Sequence, residues 1–130
     1  MAAVVKINDR VDYIGSQDWD RELFDSLIPL PDGTSYNSFI IRGSEKIALI
    51  DTVDLKFCDE FMPKIEGLKR IDYIVVNHVE QDHSGCLNEV LGRFPGSVVL
   101  CTEKAKDLIL AHLHTDPARI VTVKDGEEVS

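Results

Sequence analysis

Four side chains that can bind metal ions lie within six residues of one another. These candidate ligands are His78, Glu80, Asp82 and His83. They come directly after the mostly apolar run 71–76, which has the length of a buried strand. Because α/β folds place their sites at the carboxyl ends of strands, the pattern predicts a metal site in this loop.

The spacing of the ligands favours two ions over one. Alternate side chains of an extended segment share a face, so His78, Glu80 and Asp82 are expected to converge, while His83 projects at another angle. His78 and Glu80 would hold one ion, and Asp82 and His83 a second, about 3.5–4 Å away, as in binuclear enzymes. The alternative is a polar loop whose Asp82 and His83 only help the next helix to begin.

The carboxylate of Glu80 bears on the choice of metal. A carboxylate is a harder ligand than an imidazole, so a mixed set moves the preference from zinc toward iron or manganese. Iron exchanges electrons, whereas zinc does not. The loop is therefore predicted to support redox chemistry.

The surrounding elements predict an α/β fold. Two β-rich runs, 39–42 and 47–50, are joined by a Gly-Ser-Glu-Lys turn and predict a hairpin. From residue 71 onward the order is strand, helix, strand, helix, strand, in which Ser84 caps a helix ending at Phe94.

Two further segments shape this prediction. Helical spacing over 55–69 predicts a helix that Pro63 kinks or breaks. Asp125-Gly126 is typical of a hairpin turn, yet only four residues follow it. We therefore expect the chain to be the leading portion of a larger domain.

The composition is that of a folded acidic domain. The chain has 130 residues, of which 44% are hydrophobic and 28% charged, and its net charge is −9. Negative charge disfavours nucleic acid and anionic membranes as partners. There is no apolar run of membrane-spanning length, and residues 1–6 lack a signal-peptide pattern, so a cytoplasmic location is expected.

The three cysteines are predicted to be unpaired. Cys58, Cys86 and Cys101 are odd in number and lack a C-x-x-C spacing, so they read as small buried apolar side chains. The remaining histidines, His112 and His114, fall near a predicted helix end, where a cation is favourable. They are predicted to lie on the surface, with substitute metal ligands as the alternative.

Acidic residues near the amino terminus are predicted to form a solvated face, with docking to a basic partner as the alternative. These residues are Asp9, Asp12, Asp18, Asp20 and Glu22. Three aromatic residues, Trp19, Phe24 and Tyr36, are predicted to pack in the interior, with lining of a cavity as the alternative.

The motif His78-x-Glu80-x-Asp82-His83 resembles the metal-binding signature of the metallo-β-lactamase superfamily, in the form found in flavodiiron proteins. The hydrolases of that superfamily carry His where Glu80 stands. Segments 33–38, 48–53 and 77–85 also resemble those oxygen and nitric oxide reductases, in the same order.

The resemblance implies a metallo-β-lactamase-like αββα sandwich, with residues 1–130 as its amino-terminal portion. The second half and a flavodoxin-like domain would be absent. It also implies two non-haem iron ions that reduce dioxygen to water or nitric oxide to nitrous oxide. Electrons would come from FMN in the flavodoxin-like domain and from rubredoxin or a similar donor, and the family resemblance implies a homodimer.

The resemblance also implies roles for single residues. His78 and Glu80 would bind the first iron, and Asp82 and His83 the second. Asp51 would support them by bonding a ligand imidazole or a backbone group, with capping of the following segment as the alternative. No other catalytic residue and no cofactor-binding residue is assigned.

The family's remaining ligands, two His and a bridging Asp, are expected outside these residues. A catalytic metal needs around three protein ligands, and about two per ion are present, so the isolated chain is expected to bind iron weakly and to lack sustained reductase activity. One alternative is a binuclear hydrolase of the same superfamily, which Glu80 disfavours. Another is a non-catalytic fragment that pairs with a complementary chain.

Overall fold

A computed structural model describes residues 4–24 and 28–130. Residues 1–3 and 25–27 lie outside the described part, and so does the side chain of Phe24, for which packing is predicted. No helix of the described part is long and apolar enough to cross a membrane.

The described residues form strands and helices in the predicted alternation. The strands are β1 (Val5–Lys6), β2 (Val11–Tyr13), β3 (Ser16–Asp18), β4 (Leu23–Phe24), β5 (Ile28–Pro29), β6 (Thr34–Tyr36), β7 (Phe39–Arg42), β8 (Ile47–Ile50), β9 (Tyr73–Val75), β10 (Val98–Cys101) and β11 (Ile120–Thr122). The α-helices are α1 (Cys58–Ile65), α2 (Gln81–Ser84), α3 (Leu87–Arg93) and α4 (Glu103–Leu113). Leu55–Phe57 and Pro117–Arg119 are 3-10 turns.

Seven strands form one mixed sheet, in the order β1-β2-β7-β8-β9-β10-β11. Strands β8 to β11 are parallel, whereas β7 and β8 form the predicted antiparallel hairpin. Two smaller sheets pair β3 with β6 and β4 with β5. Because β8 and β9 are parallel neighbours, the residues that follow them emerge at the same edge of the sheet.

One face of the large sheet is buried beneath the helices. Ile40, Leu49, Ile74 and Val99 lie side by side on β7 to β10 and are at most 1% exposed. They form one apolar core with buried residues of the helices, namely Phe61, Ile65, Leu87, Val90 and Ile109. Each such side chain contributes about 1.5–3 kcal/mol, and this core holds the strand ends that carry the site in place.

The opposite face of the sheet, here called the outer sheet face, is also apolar. Its residues are in register across six strands: Val11, Tyr13, Phe39, Ile41, Ala48, Ile50, Tyr73, Val75, Val98, Leu100 and Val121. Most of them are only half-buried, and Ile41 and Val121 are 38% and 47% exposed. A sheet that is apolar on both faces is typically covered by other structural elements on both sides.

Two helices differ from their predicted bounds. The segment 55–69 begins as a 3-10 turn, and α1 then continues through Pro63 without a break. The helix predicted to start at Ser84 is preceded by α2, which already contains Ser84. The Ser84 hydroxyl donates to the carbonyls of Val79 and Glu80, so it does not cap α3.

Cys58 and Cys86 are joined by a disulfide, so the prediction of three unpaired cysteines is wrong for these two. Cys58 begins α1 and Cys86 precedes α3, and their Cα atoms are 5.7 Å apart. The spacing in sequence could not show this, because the pairing depends on how the two helices pack. Cys101 is free and buried, as predicted.

The double variant C58S/C86S is expected to lose about 3 kcal/mol of unfolding free energy relative to the oxidised wild type. The reason is that the disulfide restricts the unfolded chain. Urea denaturation with and without a thiol reductant measures the loss. Reductant should lower the wild-type midpoint and leave the double variant unchanged; an unchanged wild-type midpoint would contradict the disulfide.

Candidate metal centre

The four predicted ligands come together through a loop and a helical turn. Strand β9 ends at Val75, residues 77–80 have no regular structure, and α2 begins at Gln81. Asp82 and His83 therefore lie in a helical turn, which corrects the prediction that an extended segment makes alternate side chains converge.

The structure places all four candidate ligands in one cluster. Ligand atoms of His78, Glu80 and Asp82 lie within 4.8 Å of one another. His78 Nε2 is 3.6 Å from Glu80 Oε2, and His83 Nε2 is 3.6 Å from Asp82 Oδ2. The two imidazole rings meet edge to face with centroids 5.1 Å apart. The close pairs are the two pairs expected from the sequence.

Two buried polar atoms of the cluster have no hydrogen-bond partner among the described residues. They are Asp82 Oδ1 and His83 Nδ1. His83 Nδ1 lies 3.4 Å from Asp51 Oδ2, but without hydrogen-bond geometry. A cation bound to the Asp82 carboxylate would offset the cost of leaving Oδ1 buried and unpaired, while His83 Nδ1 faces Asp51 and leaves Nε2 as the nitrogen that would bind the ion. The donor set therefore fits a metal.

Asp51 binds the backbone at the start of the loop. Its Oδ1 accepts hydrogen bonds from the N–H groups of Asn77 and His78, at 2.7 and 3.3 Å. Its φ of 55° is in the left-handed region and turns the chain sharply after β8. Burial raises the pKa of the Asp51 carboxyl, and the hydrogen bond from Asn77 opposes that rise.

The segment after Asp51 holds the other end of the loop. The N–H and hydroxyl of Thr52 donate to the His83 carbonyl at 2.7 and 3.0 Å, and the Cys86 N–H donates to Thr52 Oγ1. At Gly85 the two segments touch, because a Cβ there would lie 2.4 Å from the Leu55 nitrogen. Any side chain at position 85 would push the loop away from its support.

An open cleft of about 660 Å³ borders the cluster. Glu80, Asp82, Arg21 and His112 are among the residues that line it. His112 and His114 are exposed, as predicted, and neither belongs to the group of ligand atoms formed by the described residues.

A family model described as the metallo-beta-lactamase superfamily matches residues 31–129. The chain belongs to this superfamily. The match includes Asp51 and the loop with the four candidate ligands. It also confirms the predicted metallo-β-lactamase fold, with a mixed sheet covered by helices.

Individual relatives of this superfamily domain are flavodiiron proteins. The chain is 37% identical over 129 residues to the anaerobic nitric oxide reductase flavorubredoxin of Vibrio vulnificus, covering 96% of the chain and 26% of that protein. The flavodiiron protein from Giardia intestinalis superimposes with a TM-score of 0.90 at 26% identity, over 100% of the chain and 32% of its own. For the rubredoxin oxygen:oxidoreductase from Desulfovibrio gigas the TM-score is 0.88 at 28% identity, over 96% and 32%. The chain thus spans about a quarter of the curated relative, and its resemblance to flavodiiron proteins is confirmed.

A buried polar network lies beside the cleft of this superfamily domain. The Tyr36 hydroxyl donates to Asp18 Oδ2 at 2.7 Å and accepts from Arg21 Nη1 at 3.1 Å. Lys56 forms an ion pair with the same Asp18 oxygen, and Arg21 pairs with Asp54 at 3.6 Å. No spacing in the sequence indicates this network, because its members come from β3, β6 and the turn before α1.

Two predictions about the acidic and aromatic residues of this region are wrong in part. Asp18 is only 2% exposed and does not belong to a solvated acidic face, although Asp9, Asp20 and Glu22 are exposed as predicted. Asp12 is half-buried and pairs with Arg42 at 2.7 Å. Tyr36 packs in the interior as predicted, whereas Trp19 is 72% exposed and does not.

Burial sets the protonation states in the network. It raises the pKa of Tyr36 to about 12, and the hydrogen bond to Asp18 adds to the rise. Burial also raises the pKa of Asp18, but hydrogen bonds from Lys56 and Tyr36 outweigh it and leave that pKa below its ordinary value. Tyr36 therefore remains a donor, and Asp18 remains charged, at neutral pH.

The raised pKa of Tyr36 predicts a loss of stability at alkaline pH. The phenol ionises near pH 10 in the unfolded chain and near 12 in the fold, so its contribution is complete below pH 10 and is lost as the pH rises to about 12. The loss should reach about 2–3 kcal/mol. Urea denaturation across this range should show a shallower decline for Y36F than for the wild type, whereas Y73F, which removes an exposed hydroxyl, should decline like the wild type.

Proposed function

We propose that the chain is the metal-binding part of a diiron flavoprotein that reduces dioxygen to water or nitric oxide to nitrous oxide. The observation that carries the proposal is the cluster of His78, Glu80, Asp82 and His83, in which the buried Asp82 Oδ1 has no partner in the described part of the chain. The chain's relatives include a nitric oxide reductase flavorubredoxin and a rubredoxin oxygen:oxidoreductase, and their activities support the same proposal.

The chemistry of the donors supports iron. Two carboxylates with two imidazoles form a mixed hard and borderline set, which suits iron or manganese better than an all-imidazole set does. Iron bound there would supply the electron exchange that reduction of a diatomic molecule requires. A metal-activated hydrolase is disfavoured because Glu80 stands where the hydrolases carry His.

The loop residues would hold the metal in two unlike pairs. His78 and Glu80 are about half exposed, at 48% and 54%, so this pair would face the solvent side of the cluster. Asp82 is buried and His83 is half-buried, with side chains 9% and 23% exposed, so these two would form the inner pair. Asp51 would orient both, because it binds the backbone of His78 and lies beside the imidazole of His83.

Charge also favours a cation at this position. Asp51, Glu80 and Asp82 bring three carboxylates to one loop, and like charges at close range repel one another unless a cation lies between them. Arg21 lines the same cleft and interacts electrostatically with Asp82, which offsets part of this repulsion.

The remaining parts of the activity are proposed for a longer protein. Because the chain spans about a quarter of its flavorubredoxin relative, we assign residues 1–130 to the amino-terminal portion of the metallo-β-lactamase-like domain. Further ligands, FMN in a flavodoxin-like domain, a rubredoxin-type donor and homodimer formation would belong to the whole protein, in the cytoplasm. The isolated chain would bind iron weakly and would not sustain turnover.

Anaerobic titration with Fe²⁺ tests the proposal on the 130-residue chain. Calorimetry and iron analysis should show weak binding of two ions. D82A should lower the affinity at least about tenfold, because it removes a buried ligand, and D51A should lower it about 10–100-fold by releasing the loop. H114N is the matched control, since it removes an exposed imidazole that neither belongs to the cluster nor lines the cleft, and asparagine tolerates the left-handed backbone at that position, so it should bind like the wild type.

Two results would contradict the diiron assignment. One is stoichiometric zinc without iron in anaerobically purified protein, together with hydrolysis of a thioester or a lactam. The other is Fe²⁺ binding that D82A and H114N weaken equally. Appreciable consumption of nitric oxide or dioxygen by the pure chain with a chemical reductant would show that further domains are not needed.

The outer sheet face supports a second candidate function, pairing with a complementary chain. Eleven apolar residues in register leave this face half-open, and a second sheet is what an αββα sandwich would place against it. A fragment with this surface would act by completing its domain with the missing half.

Light scattering measures this tendency directly. The isolated chain is expected to self-associate through the outer sheet face, and I41K should shift it toward monomer because a buried lysine is costly. L108K serves as the control, since Leu108 is 41% exposed on α4 and away from that face. A wild-type chain that is compact and monomeric at every concentration would argue against pairing.

A further inference from the structure

We propose that Cys58 and Cys86 form a thiol–disulfide switch that sets the metal affinity of the loop between them. The inference rests on the metal binding proposed above and adds its regulation. It assigns a site of reversible oxidation to the chain, with the thiol and disulfide forms of glutathione as the class of reactant.

The position of the disulfide in the chain is the first observation. Cys58 and Cys86 are 28 residues apart and enclose α1, β9 and α2. All four candidate ligands fall between the two cysteines, so the disulfide closes a covalent ring that contains the whole metal loop.

The contacts of Cys86 are the second observation. Its N–H donates to Thr52 Oγ1, and that hydroxyl donates to the carbonyl of His83, a candidate ligand. Its Sγ lies 3.9 Å from the carbonyl oxygen of Asp54, at the start of the turn that leads to Cys58. A change at the sulfur therefore reaches the loop through two hydrogen bonds.

The exchange balances with a thiol partner. Oxidation forms the bond between the two Sγ atoms, releases two protons and passes two electrons to oxidised glutathione, which leaves as two thiols. In the reverse direction a thiolate attacks one sulfur, and a second thiolate resolves the mixed disulfide. Cys58 is 4% exposed and Cys86 is 0%, so both are buried, and a thiolate reaches the disulfide when the start of α1 opens locally. In a compartment buffered by glutathione, such a disulfide is typically transient and redox-sensing.

The oxidised form is the form that binds metal more tightly. The disulfide holds the carboxyl end of the loop against α1, so less conformational freedom is lost when the four donors close on an ion. Reduction removes this covalent restraint and leaves the hydrogen bonds of Thr52 as the remaining support of that end, while Asp51 still holds the other. We expect the Fe²⁺ affinity to fall about tenfold, within the range usual for coupled sites.

Anaerobic Fe²⁺ titration of three proteins tests the switch: oxidised wild type, C58S/C86S and oxidised C101S. The double serine variant should bind about tenfold more weakly. C101S keeps the disulfide and removes the free thiol, so it should match the oxidised wild type. Mass spectrometry after alkylation verifies the thiol state of each sample.

A second measurement avoids the variants altogether. By linkage, Fe²⁺ must stabilise the disulfide of the wild type by the same factor, and tenfold corresponds to about 30 mV for a two-electron couple. Glutathione redox buffers with and without Fe²⁺ should show the potential shifted to more negative values by that amount. This readout holds even if the double variant folds poorly.

The outcomes separate the two proposals. Equal Fe²⁺ affinity in both thiol states, with no shift in potential, overturns the switch and leaves the metal site standing. Absence of the disulfide under oxidising buffer also overturns the switch alone. Absence of Fe²⁺ binding in either state overturns the proposed function and the switch together.

Discussion

The carboxylate of Asp51 and the two N–H groups that it accepts are the interaction on which the site depends. Strand β8 ends one residue before Asp51, and the loop after β9 includes Asn77, so the pair joins the ends of two parallel strands. Thr52 then fixes the far end of the loop through His83. The buried core beneath the sheet fixes the positions of both strands. These few hydrogen bonds then hold the candidate metal ligands of the loop in a defined arrangement.

Several unfavourable features gather around these contacts. A non-glycine residue with a left-handed backbone, two unpartnered buried polar atoms and three carboxylates of like charge all occur near one strand edge. Strain of this kind costs about 1–3 kcal/mol per feature and persists only when the surrounding structure determines it. In the network of Asp18 and Tyr36, by contrast, the buried polar groups have hydrogen-bond and ion-pair partners. A cation bound by the loop, as proposed for its four candidate ligands, would offset part of this cost.

Much of the fold could be predicted because it is local. The hairpin of β7 and β8 and the alternation from β9 to β11 follow from apolar runs and turns, and the cluster of ligands follows from one short motif. The pairing of Cys58 with Cys86 and the burial of Asp18 could not be predicted, because each depends on a partner from a distant element. The sequence pattern predicts an extended chain over residues 78–82. The structure instead enters a helical turn at Gln81, so the pattern does not predict the bounds of α2.

The left-handed backbone at position 51 has a consequence for which residues the chain tolerates there. At a φ of 55°, β-branched and bulky residues are strongly disfavoured by steric clash, which leaves glycine, asparagine, aspartate and histidine as the natural choices, and His114 has a similar φ of 54°. Glycine would relax the backbone but offer no acceptor to the two N–H groups. Asparagine would offer an acceptor without the charge beside His83. The backbone conformation therefore limits position 51 to a few residue types, and the charge beside His83 favours aspartate among them.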